Sequence, residues 1–572
     1  MKVPHRSVAA DRRMFLGYFA GLGLGSTLLP GVLWARVQED REIDVETIRC
    51  AEELAGLSFT EEERELMVQD LVGQAASYRA IRNLPLPNSV APALIFSPLA
   101  GAGQLPGVAV PRSIPARNIS RPGTPEEVAL LPVTALSELI RTRQISSEEL
   151  TQLYLSRIEQ LDPILMAVVT LTEVRAIEQA RAADREIANG RYRGLLHGIP
   201  WGAKDLLAVR GYPTTWGTPP YRDQMIEADA TVVQRLDAAG AVLIAKLALG
   251  ELAWGDVWFG GQTRNPWNPE QGSSGSSAGP GAATAAGMVG FSIGSETLGS
   301  ISSPSSRTGV TGLRPTFGRV PRTGAMALSW SMDKLGPMCR SVEDCAIVLE
   351  VIAGPDGSDT STVGDTFAWG SDIPLDRLRV GYVRNVFERR VTDSPTRSFD
   401  LAALEILSSL GVDLIPIELP PFPYDELTII LNAEAAAAFD QLSREGGTAT
   451  MVRQERNAWP NVFRVARTIP AVEYINANRI RTLAVQSWQR LFEQVDVIVT
   501  PTNTPGQLTA TNLTGHPAVI LPNGFRSDGT PVSITFLGRL LGEDSLLALT
   551  RAYQEATEFH LRHPHVQPSS GA

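Results

Sequence analysis

GSSGSSAGPGAATAAGMVGFSIGSETLGSISSP, residues 272–304, is the stretch that decides the fold of this 572-residue chain. Glycine and serine dominate its two ends, and their small size lets one backbone segment approach another closely. Its middle is different, because the Ala-rich residues 282–287 predict a helix and residues 289–293 predict a buried strand. A flexible linker would contain neither element. The stretch therefore predicts two tight loops, with a helix and a strand between them, inside a folded domain.

Helical and strand-like segments alternate on both sides of this stretch. Ser146 and Glu149 have the spacing of a helix-capping box, and apolar positions continue from there at helical spacing as far as Ile158. Residues 241–245 and 495–499 are short apolar runs of the length expected for buried strands. This alternation predicts an α/β fold in which helices cover both faces of a mixed β-sheet.

The N-terminal region has two parts that differ from the rest of the chain. In residues 1–35, the pair Arg12 and Arg13 precedes an apolar run over 17–33 that ends near Ala35, a pattern that resembles a twin-arginine signal peptide. It predicts an exported protein, periplasmic or extracellular, without stable membrane insertion after cleavage; an uncleaved membrane anchor is the alternative. Residues 36–123 predict a helical extension followed by a Pro- and Gly-rich linker, and residues 124–572 the main domain.

Composition excludes several classes of protein. With 43% hydrophobic and 20% charged residues, the chain has the composition of a globular protein with a sizeable core. A net charge of −11 disfavours a nucleic-acid partner, which usually requires a basic surface. The chain has three cysteines, Cys50, Cys339 and Cys345, and neither they nor the six histidines have metal-ligand spacing. We therefore expect no metal and no nucleic-acid partner.

The stretch at 272–304 resembles the amidase signature, in which a second Gly-Ser follows 24 residues after the first serine of a double serine. Here those serines are Ser276 and Ser300. Upstream, LHGIPWGAKD at 196–205 looks like the Gly-Ile-Pro…Lys-Asp strand of the same family. The resemblance covers about residues 124–556 and implies the amidase-signature fold. Further blocks match in order: GVTGLRPT at 309–316, SMDKLGP at 331–337, TPT at 500–502 and NLTGHPA at 512–518.

The resemblance implies hydrolysis of an acyl C–N bond in a small-molecule amide, without a cofactor, by the triad Lys204, Ser276 and Ser300. Ser300 would attack the carbonyl carbon, which requires a nearby base because a serine hydroxyl is a weak nucleophile. Lys204 would be that base, kept neutral by burial among apolar neighbours. Ser276 would carry the proton between them. Released products would be a carboxylic acid and ammonia or an amine.

The same resemblance implies an oxyanion hole built from backbone N–H groups, which would stabilise the negative charge of the tetrahedral intermediate. Leu298 departs from the glycine common in the family, Glu296 from aspartate and Ser302 from arginine. A supporting ion pair is therefore expected to be missing or moved, with Arg307 as the candidate partner. The four residues expected to supply the N–H groups are Thr297, Leu298, Gly299 and Ser300.

Other residues near the motif blocks are expected to support the site or to line a pocket. Ser277, Asp205 and Asp333 are interpreted as supporting residues that orient the site through hydrogen bonds. Four aromatic residues are candidates for an apolar substrate pocket, although aromatic side chains more often belong to the core. They are Trp254, Trp258, Phe259 and Trp330.

Several alternatives stay open at this stage. Residues 275–279 also fit the G-x-S-x-G nucleophile elbow, with Ser277 as nucleophile and His516 as base. The elbow must follow a buried strand, however, and the preceding residues 264–271 are polar and interrupted by proline. An ester or carbamate hydrolase, or a glutaminase like the family's tRNA-dependent amidotransferase branch, would use the same triad, whereas a binding protein without activity would require a broken one. The sequence does not indicate an oligomeric state.

Overall fold

The computed structural model describes residues 43–55, 57–84, 119–363, 366–369, 373–388 and 396–566. The predicted export signal at 1–35 and most of the predicted linker lie outside the described residues. Within these ranges the chain divides into two compact units. Residues up to 84, together with 422–449 and 453–483, form the smaller unit. The other residues form the larger one.

Strands occur in the larger unit only, as far as the described residues show, and eleven of them form one mixed sheet. Four short strands pair as two separate ribbons, β4 with β5 and β6 with β7. The bounds are β1 Val168–Leu171, β2 Pro200–Lys204, β3 Val242–Leu247, β4 Val257–Trp258, β5 Gly261–Gln262, β6 Arg264–Asn265, β7 Asn268–Gly272, β8 Phe291–Glu296, β9 Thr311–Arg314, β10 Lys334–Cys339, β11 Arg379–Val383, β12 Asp413–Ile417, β13 Val497–Pro501, β14 Ala518–Phe525 and β15 Pro531–Gly538.

The order of strands in the large sheet is β1-β3-β2-β8-β10-β9-β14-β15-β13-β11-β12. Strand β2 lies between β3 and β8 and runs parallel to both. Along this sheet order, neighbouring strands from β8 to β13 are antiparallel, whereas β13, β11 and β12 are parallel to one another. All residues of β2, β3 and β8 are buried, as expected for strands covered on both faces. The predicted mixed sheet with helices on both faces is confirmed.

Helices surround this sheet and also build the smaller unit. No helix within the described ranges combines the length and the apolar character that crossing a membrane requires. The bounds are α1 Val45–Ala55, α2 Glu61–Arg82, α3 Pro125–Ala129, α4 Val133–Arg141, α5 Ser147–Leu165, α6 Glu173–Ala188, α7 Thr231–Ala238, α8 Ala278–Ala285, α9 Ser302–Thr308, α10 Val342–Ile352, α11 Arg384–Phe387, α12 Arg397–Ser409, α13 Ile429–Ala438, α14 Asp440–Arg444, α15 Trp459–Ala466, α16 Ala471–Phe492, α17 Gln507–Thr514 and α18 Glu543–Thr557.

The predicted helical extension forms the first two helices of the smaller unit. Thr60 caps α2 through a reciprocal capping box with Glu63. The two helices share a core cluster with α15, and Arg464 of α15 lies 2.6 Å from Glu63. The extension therefore packs against a segment almost 400 residues later in the chain. The cluster consists of Ile43, Ile48, Met67, Leu71 and Val465.

The stretch at 272–304 forms the elements that its sequence predicts, shifted by a few residues. The Ala-rich part is α8, and the buried strand is β8. Small residues are needed in α8 because backbone segments approach each other closely there. The Gly279 N–H donates to the Ala248 carbonyl at 2.8 Å. A Cβ on Gly279 would lie 2.4 Å from the Ala167 carbonyl oxygen and 2.5 Å from the Ala248 nitrogen. Helix α8 can lie this close to β3 only with glycine there.

We expect Gly279→Ala to destabilise the larger unit by about 1–3 kcal/mol, because the new methyl group meets backbone atoms that cannot move aside. The midpoint of urea unfolding, followed by tryptophan fluorescence, measures the change. Gly73→Ala is the matched control, because Gly73 lies inside α2 and a Cβ added to it would meet no atom within 4 Å. It should be neutral or stabilising by up to about 1 kcal/mol. Equal midpoints for Gly279→Ala and wild type would contradict the close approach.

Candidate active site

Lys204 is the last residue of β2, and its side chain is fully buried. It reaches a small cluster of serine side chains from other parts of the chain. Its Nζ lies 2.8 Å from the Ser276 Oγ, 3.0 Å from the Ser277 Oγ and 2.8 Å from the Ser295 Oγ. The Ser295 carbonyl oxygen is a fourth neighbour at 3.4 Å. The structure thus brings together Lys204 and both serines of the predicted pair, and adds Ser295, which the sequence analysis missed.

Burial lowers the pKa of Lys204 well below its usual value, because an ammonium group loses its hydration in the interior. The carboxylates of Asp333 and Glu296 act in the opposite direction but do not offset this loss. No carboxylate of the described residues forms an ion pair with Lys204. The environment of Lys204 therefore favours the neutral amine over the ammonium form.

Ser277 is held more firmly than Ser276, which follows a cis peptide bond from Gly275. The Ser277 N–H donates to the Ser300 carbonyl at 3.0 Å, and its hydroxyl donates to the Ser295 carbonyl and accepts from the Ser295 N–H, both at 3.1 Å. The Ser276 hydroxyl has Lys204 as its single hydrogen-bond partner among the described residues. These contacts fix Ser277 between Lys204 and Ser295, and its supporting role stays a prediction.

The loop after β8 carries the four predicted oxyanion-hole residues. Within the described part of the chain, the N–H groups of residues 297–300 donate to no protein acceptor. Gly299 has a φ of +88°, which glycine adopts without strain. Ser300 is 7% exposed, and its hydroxyl has no hydrogen-bond partner among the described residues. A row of unpaired amide donors beside an uncommitted hydroxyl is suited to bind an oxyanion.

Glu296 holds this loop in place from the end of β8. Its Oε2 accepts hydrogen bonds from the Ile301 N–H at 2.9 Å, the Ser302 N–H at 2.8 Å and the Ser302 hydroxyl at 2.8 Å. Its Oε1 accepts from the Arg314 guanidinium and the Asn512 amide, both at 2.7 Å. Burial alone would raise the pKa of Glu296, but the Arg314 charge lowers it to about 2. Glu296 is therefore ionised and clamps the far end of the loop.

The expected displacement of the ion pair to Arg307 is wrong. Arg307 lies near the surface and donates to the Gln271 side chain at 3.1 Å. Arg314 supplies the charge instead, from strand β9 beside β10 and β14. Ser302 contributes a hydroxyl to the Glu296 carboxylate, where the family commonly has an arginine. Glu296 is one methylene longer than the usual aspartate, and its ion-pair partner is Arg314 instead of an arginine at position 302.

Asp333 lies at the other end of the loop and supports it there. Its Oδ1 accepts from the Thr297 hydroxyl at 2.5 Å, while its Oδ2 accepts from the Leu328 and Ser329 N–H groups at 2.8 and 2.9 Å. Burial raises the pKa of Asp333, and the hydrogen bond from Thr297 opposes this rise. Asp333 thus connects the loop at 297–300 with the segment at 328–329.

Asp205 points away from the serine cluster, although it follows Lys204 directly. Its Oδ1 lies 2.6 Å from the Nζ of Lys246, and its Oδ2 accepts from the Thr215 N–H at 3.0 Å. Lys246 also donates to the Pro213 carbonyl and the Thr214 hydroxyl, both at 2.6 Å. Asp205 therefore orders the segment at 213–215 rather than the reacting groups.

A mostly apolar cavity of about 230 Å³ adjoins the loop, and we call it the apolar cavity. It touches the site at Ser295 and Thr297, and Trp330, 50% exposed, lies on its wall. The other three aromatic candidates do not line it. Trp258 is buried against Phe259, with ring centroids 4.9 Å apart. The apolar wall includes Leu206, Met326, Leu328 and Leu335.

The nucleophile-elbow alternative does not fit the geometry. Residues 268–272 do form a strand, contrary to the expectation from their polar sequence, but β7 pairs with β6 in a separate ribbon outside the main sheet. His516 is buried, and its ring stacks on Phe492 with centroids 5.0 Å apart. Burial lowers the pKa of His516 to about 3. His516 is therefore a core residue, and Ser277 has Lys204 as its basic neighbour.

Comparison with known proteins agrees with this geometry. The family model described as Amidase matches residues 149–511, more than half of the chain. This chain belongs to the amidase signature family. It is 36% identical over 470 residues to the putative amidase AmiD of Mycobacterium tuberculosis, covering 77% of this chain and 97% of that protein. It is also 36% identical over 488 residues to the A subunit of glutamyl-tRNA(Gln) amidotransferase from Roseiflexus castenholzii, covering 77% and 99%.

Solved structures of amidases show the same fold. The peptide amidase of Stenotrophomonas maltophilia superposes with a TM-score of 0.67 at 30% identity, covering 76% of this chain and 98% of that one. An amidase family protein of Bacillus anthracis gives a TM-score of 0.69 at 25% identity, covering 77% and 94%. The family and its solved members identify the chain as an amide hydrolase with the amidase-signature fold.

We expect Glu296→Gln to destabilise this amidase by about 3–5 kcal/mol, because the buried Arg314 loses its counter-charge. Thermal unfolding measures the loss. The low pKa of Glu296 also predicts that stability is fully present above pH 4.5 and falls as the pH drops towards 2. Glu555→Gln, which alters an exposed i,i+4 ion pair with Arg551, is the control and should stay within about 0.5 kcal/mol of wild type. An unchanged unfolding temperature for Glu296→Gln would contradict the role of the clamp.

Proposed function

We propose that the chain hydrolyses amides through Lys204, Ser276 and Ser300, by way of an acyl-enzyme intermediate. The observation that carries this proposal is a buried lysine of lowered pKa, hydrogen-bonded to Ser276 and next to a loop of unpaired amide donors that contains Ser300. Each component of acyl transfer has a candidate among these groups.

Hydrogen-bond counting leaves two candidates for the proton relay. A neutral lysine amine has two N–H donors and one lone pair, so among three neighbouring hydroxyls one must donate to Lys204. Ser277 already donates to the Ser295 carbonyl, which leaves Ser276 and Ser295 as possible donors. Ser276 lies in the family's relay position, and we assign Ser295 the task of holding the amine. A proton taken from Ser300 then passes through Ser276 to Lys204.

The proposed reaction balances as two acyl transfers. Ser300 Oγ forms a bond to the carbonyl carbon, its proton moves to Lys204, and the oxyanion binds the N–H groups of residues 297–300. When the C–N bond breaks, the proton returns through Ser276 to the leaving nitrogen. A water molecule then attacks the ester with the same base, which releases the carboxylic acid and restores Ser300.

Two related activities use the same groups. An ester of the same acid would form the same acyl-enzyme, and a carbamate would form a carbamoyl-enzyme, since the leaving atom takes no part in the first bond formed. The relative in Roseiflexus castenholzii favours a second candidate, a glutaminase similar to the A subunit of the amidotransferase. We place amide hydrolysis first because two of the similar proteins, the putative amidase AmiD of Mycobacterium tuberculosis and the peptide amidase of Stenotrophomonas maltophilia, are amidases by name.

We also infer that the protein is exported, with residues 1–35 as a twin-arginine signal. The support is the sequence pattern around Arg12 and Arg13. Fractionation of cells that express either the full chain or its Arg12→Lys, Arg13→Lys variant tests this inference. The wild type should be found outside the cytoplasm and the variant inside it.

We expect Ser300→Ala and Lys204→Ala to lose at least about 1,000-fold in kcat on primary and aryl amides, because each removes a group that takes part in bond formation or proton transfer. Ser277→Ala should keep a substantial fraction of activity, because its hydroxyl supports the site without carrying the transferred proton. Steady-state rates on amides, matched esters and glutamine provide the measurement. Loss of activity in Ser277→Ala with full activity in Ser300→Ala would overturn the assignment.

The pH dependence of kcat/KM gives an independent check on Lys204. The free enzyme is active only when this amine is neutral, so kcat/KM should fall about tenfold per pH unit below the pKa of Lys204 and reach a plateau above it. Because burial lowers that pKa well below 10.5, the plateau should begin well before pH 10. A profile that continues to rise up to pH 10.5 would contradict a buried neutral lysine.

A further inference from the structure

A second cavity, of about 490 Å³, adjoins the end of the loop that contains Ser300. We call it the polar cavity. Ser274, two residues before Ser276, lines it, and so do Ser302 and Ser303, which follow Ser300. Leu508, also on its wall, lies 3.1 Å from the position that a Cβ on Gly299 would occupy. The loop at 295–303 therefore has one cavity at its beginning and another at its end.

The two cavities differ in chemistry. The polar cavity presents the hydroxyls of Ser303 and Ser306, the amide of Asn503, and the guanidinium groups of Arg307 and Arg526. One acidic residue, Asp528, also lines it and accepts hydrogen bonds from the Thr530 N–H and hydroxyl. Two arginines against one aspartate leave an excess of positive charge.

Several polar groups of the polar cavity have unused hydrogen-bonding capacity. Gln507 is 2% exposed, and its Oε1 has no partner among the described residues. Arg307 and Arg526 each use only Nη1 in hydrogen bonds to described residues, Arg307 to Gln271, and Arg526 to Thr530 and the Pro531 carbonyl. A buried acceptor without a donor is unfavourable, so this wall is suited to a polar, hydrogen-bonding ligand.

The apolar cavity offers no comparable group. Its one cation, Arg322, uses four of its five N–H groups: Nε and Nη2 donate to the Asp359 carboxylate at 3.0 and 3.2 Å, Nη2 also to the Ser361 hydroxyl, and Nη1 to the Trp330 carbonyl, both at 2.6 Å. A substrate carboxylate placed there would have to compete with Asp359. The cavity is therefore suited to an uncharged hydrocarbon group.

We assign the two parts of a substrate to the two cavities by the nearness of their lining residues, along the chain, to the proposed catalytic groups. The leaving nitrogen must face Ser276, which returns its proton, and Ser276 is close in sequence to the Ser274 wall of the polar cavity. The amine substituent thus extends into the polar cavity. The acyl group extends past Thr297, into the apolar cavity.

Building on the proposed function, we propose that the preferred substrates are secondary amides that join an apolar acyl group to a polar, carboxylate-bearing amine, as in N-acyl amino acids. Hydrolysis transfers the acyl group to Ser300 and the proton to the amine nitrogen, and water then releases a fatty or arylalkanoic acid. The amino acid leaves through the polar cavity. A glutaminase would require the opposite, a charged acyl group.

A matched pair of substrates tests this proposal. N-Hexanoylglycine and N-isobutylhexanamide share the acyl group and the number of heavy atoms in the amine, and differ in the carboxylate. We expect kcat/KM to be at least about tenfold higher for N-hexanoylglycine, because its carboxylate can accept charged hydrogen bonds from arginine. N-Hexylsuccinamate, with its carboxylate on the acyl side, should be the poorest of the three.

Variants of the polar cavity separate binding from catalysis. Arg307→Gln combined with Arg526→Gln should reduce the preference for N-hexanoylglycine over N-isobutylhexanamide to about twofold or less, mainly through KM. Arg551→Gln, which alters an exposed arginine of α18, is the matched control and should keep the full preference.

Each outcome decides the proposal. Equal rates on the matched pair, a better rate on N-hexylsuccinamate, or an unchanged preference in the double variant would overturn it. In those cases hydrolysis of hexanamide, which needs no amine subsite, would leave the proposed amide hydrolysis standing. Absence of activity on hexanamide and on every other amide in the series would overturn both.

Discussion

A buried lysine without a carboxylate partner is the constraint on which the rest of the site depends. The chain buries a second lysine, Lys246, only 42 positions later, and the comparison is informative. Lys246 has Asp205 at 2.6 Å, and although burial lowers the pKa of Lys246, the charge of this carboxylate opposes the shift. Lys204 has three hydroxyls instead, which can solvate a neutral amine but cannot replace the hydration of an ammonium group. The serines around Lys204 thus determine its protonation state as well as its position.

The loop at 297–300 must keep its conformation although its backbone N–H groups are unpaired. The structure solves this problem by fixing both ends. Asp333 holds Thr297 at the first end, and Glu296, itself fixed by Arg314, holds Ile301 and Ser302 at the other. Both clamps are carboxylates that accept backbone N–H groups. The backbone N–H groups of residues 297–300 stay unpaired because the carboxylates of Asp333 and Glu296 already accept hydrogen bonds from other groups.

Local sequence patterns were sufficient to predict the mixed sheet and the helix and strand inside 272–304. The meeting of Lys204 with Ser276, 72 positions later, followed from the resemblance to a known family and not from local spacing. Contacts between distant segments were harder. Arg314 was visible in a family block, but its pairing with Glu296 depends on the β9 position in the sheet, and Arg307, closer in sequence, was expected instead. The strand at 268–272 was missed because a two-stranded ribbon at the surface tolerates proline and polar residues. Trp258 and Phe259 pack against each other instead of lining the apolar cavity, and amino-acid composition does not distinguish between these two positions.

The core that joins the first helices to α15 has a consequence for the order in which the chain can fold. Met67 and Leu71 leave the ribosome early, while Val465, their partner in the cluster, is made almost 400 residues later. At roughly 5–20 residues per second, synthesis takes on the order of 20–80 s to reach that partner. Throughout this interval the apolar face of the N-terminal helices has no native surface to cover it. The smaller unit is thus among the last parts of the protein that can be completed, although its first residues are among the earliest to be synthesised.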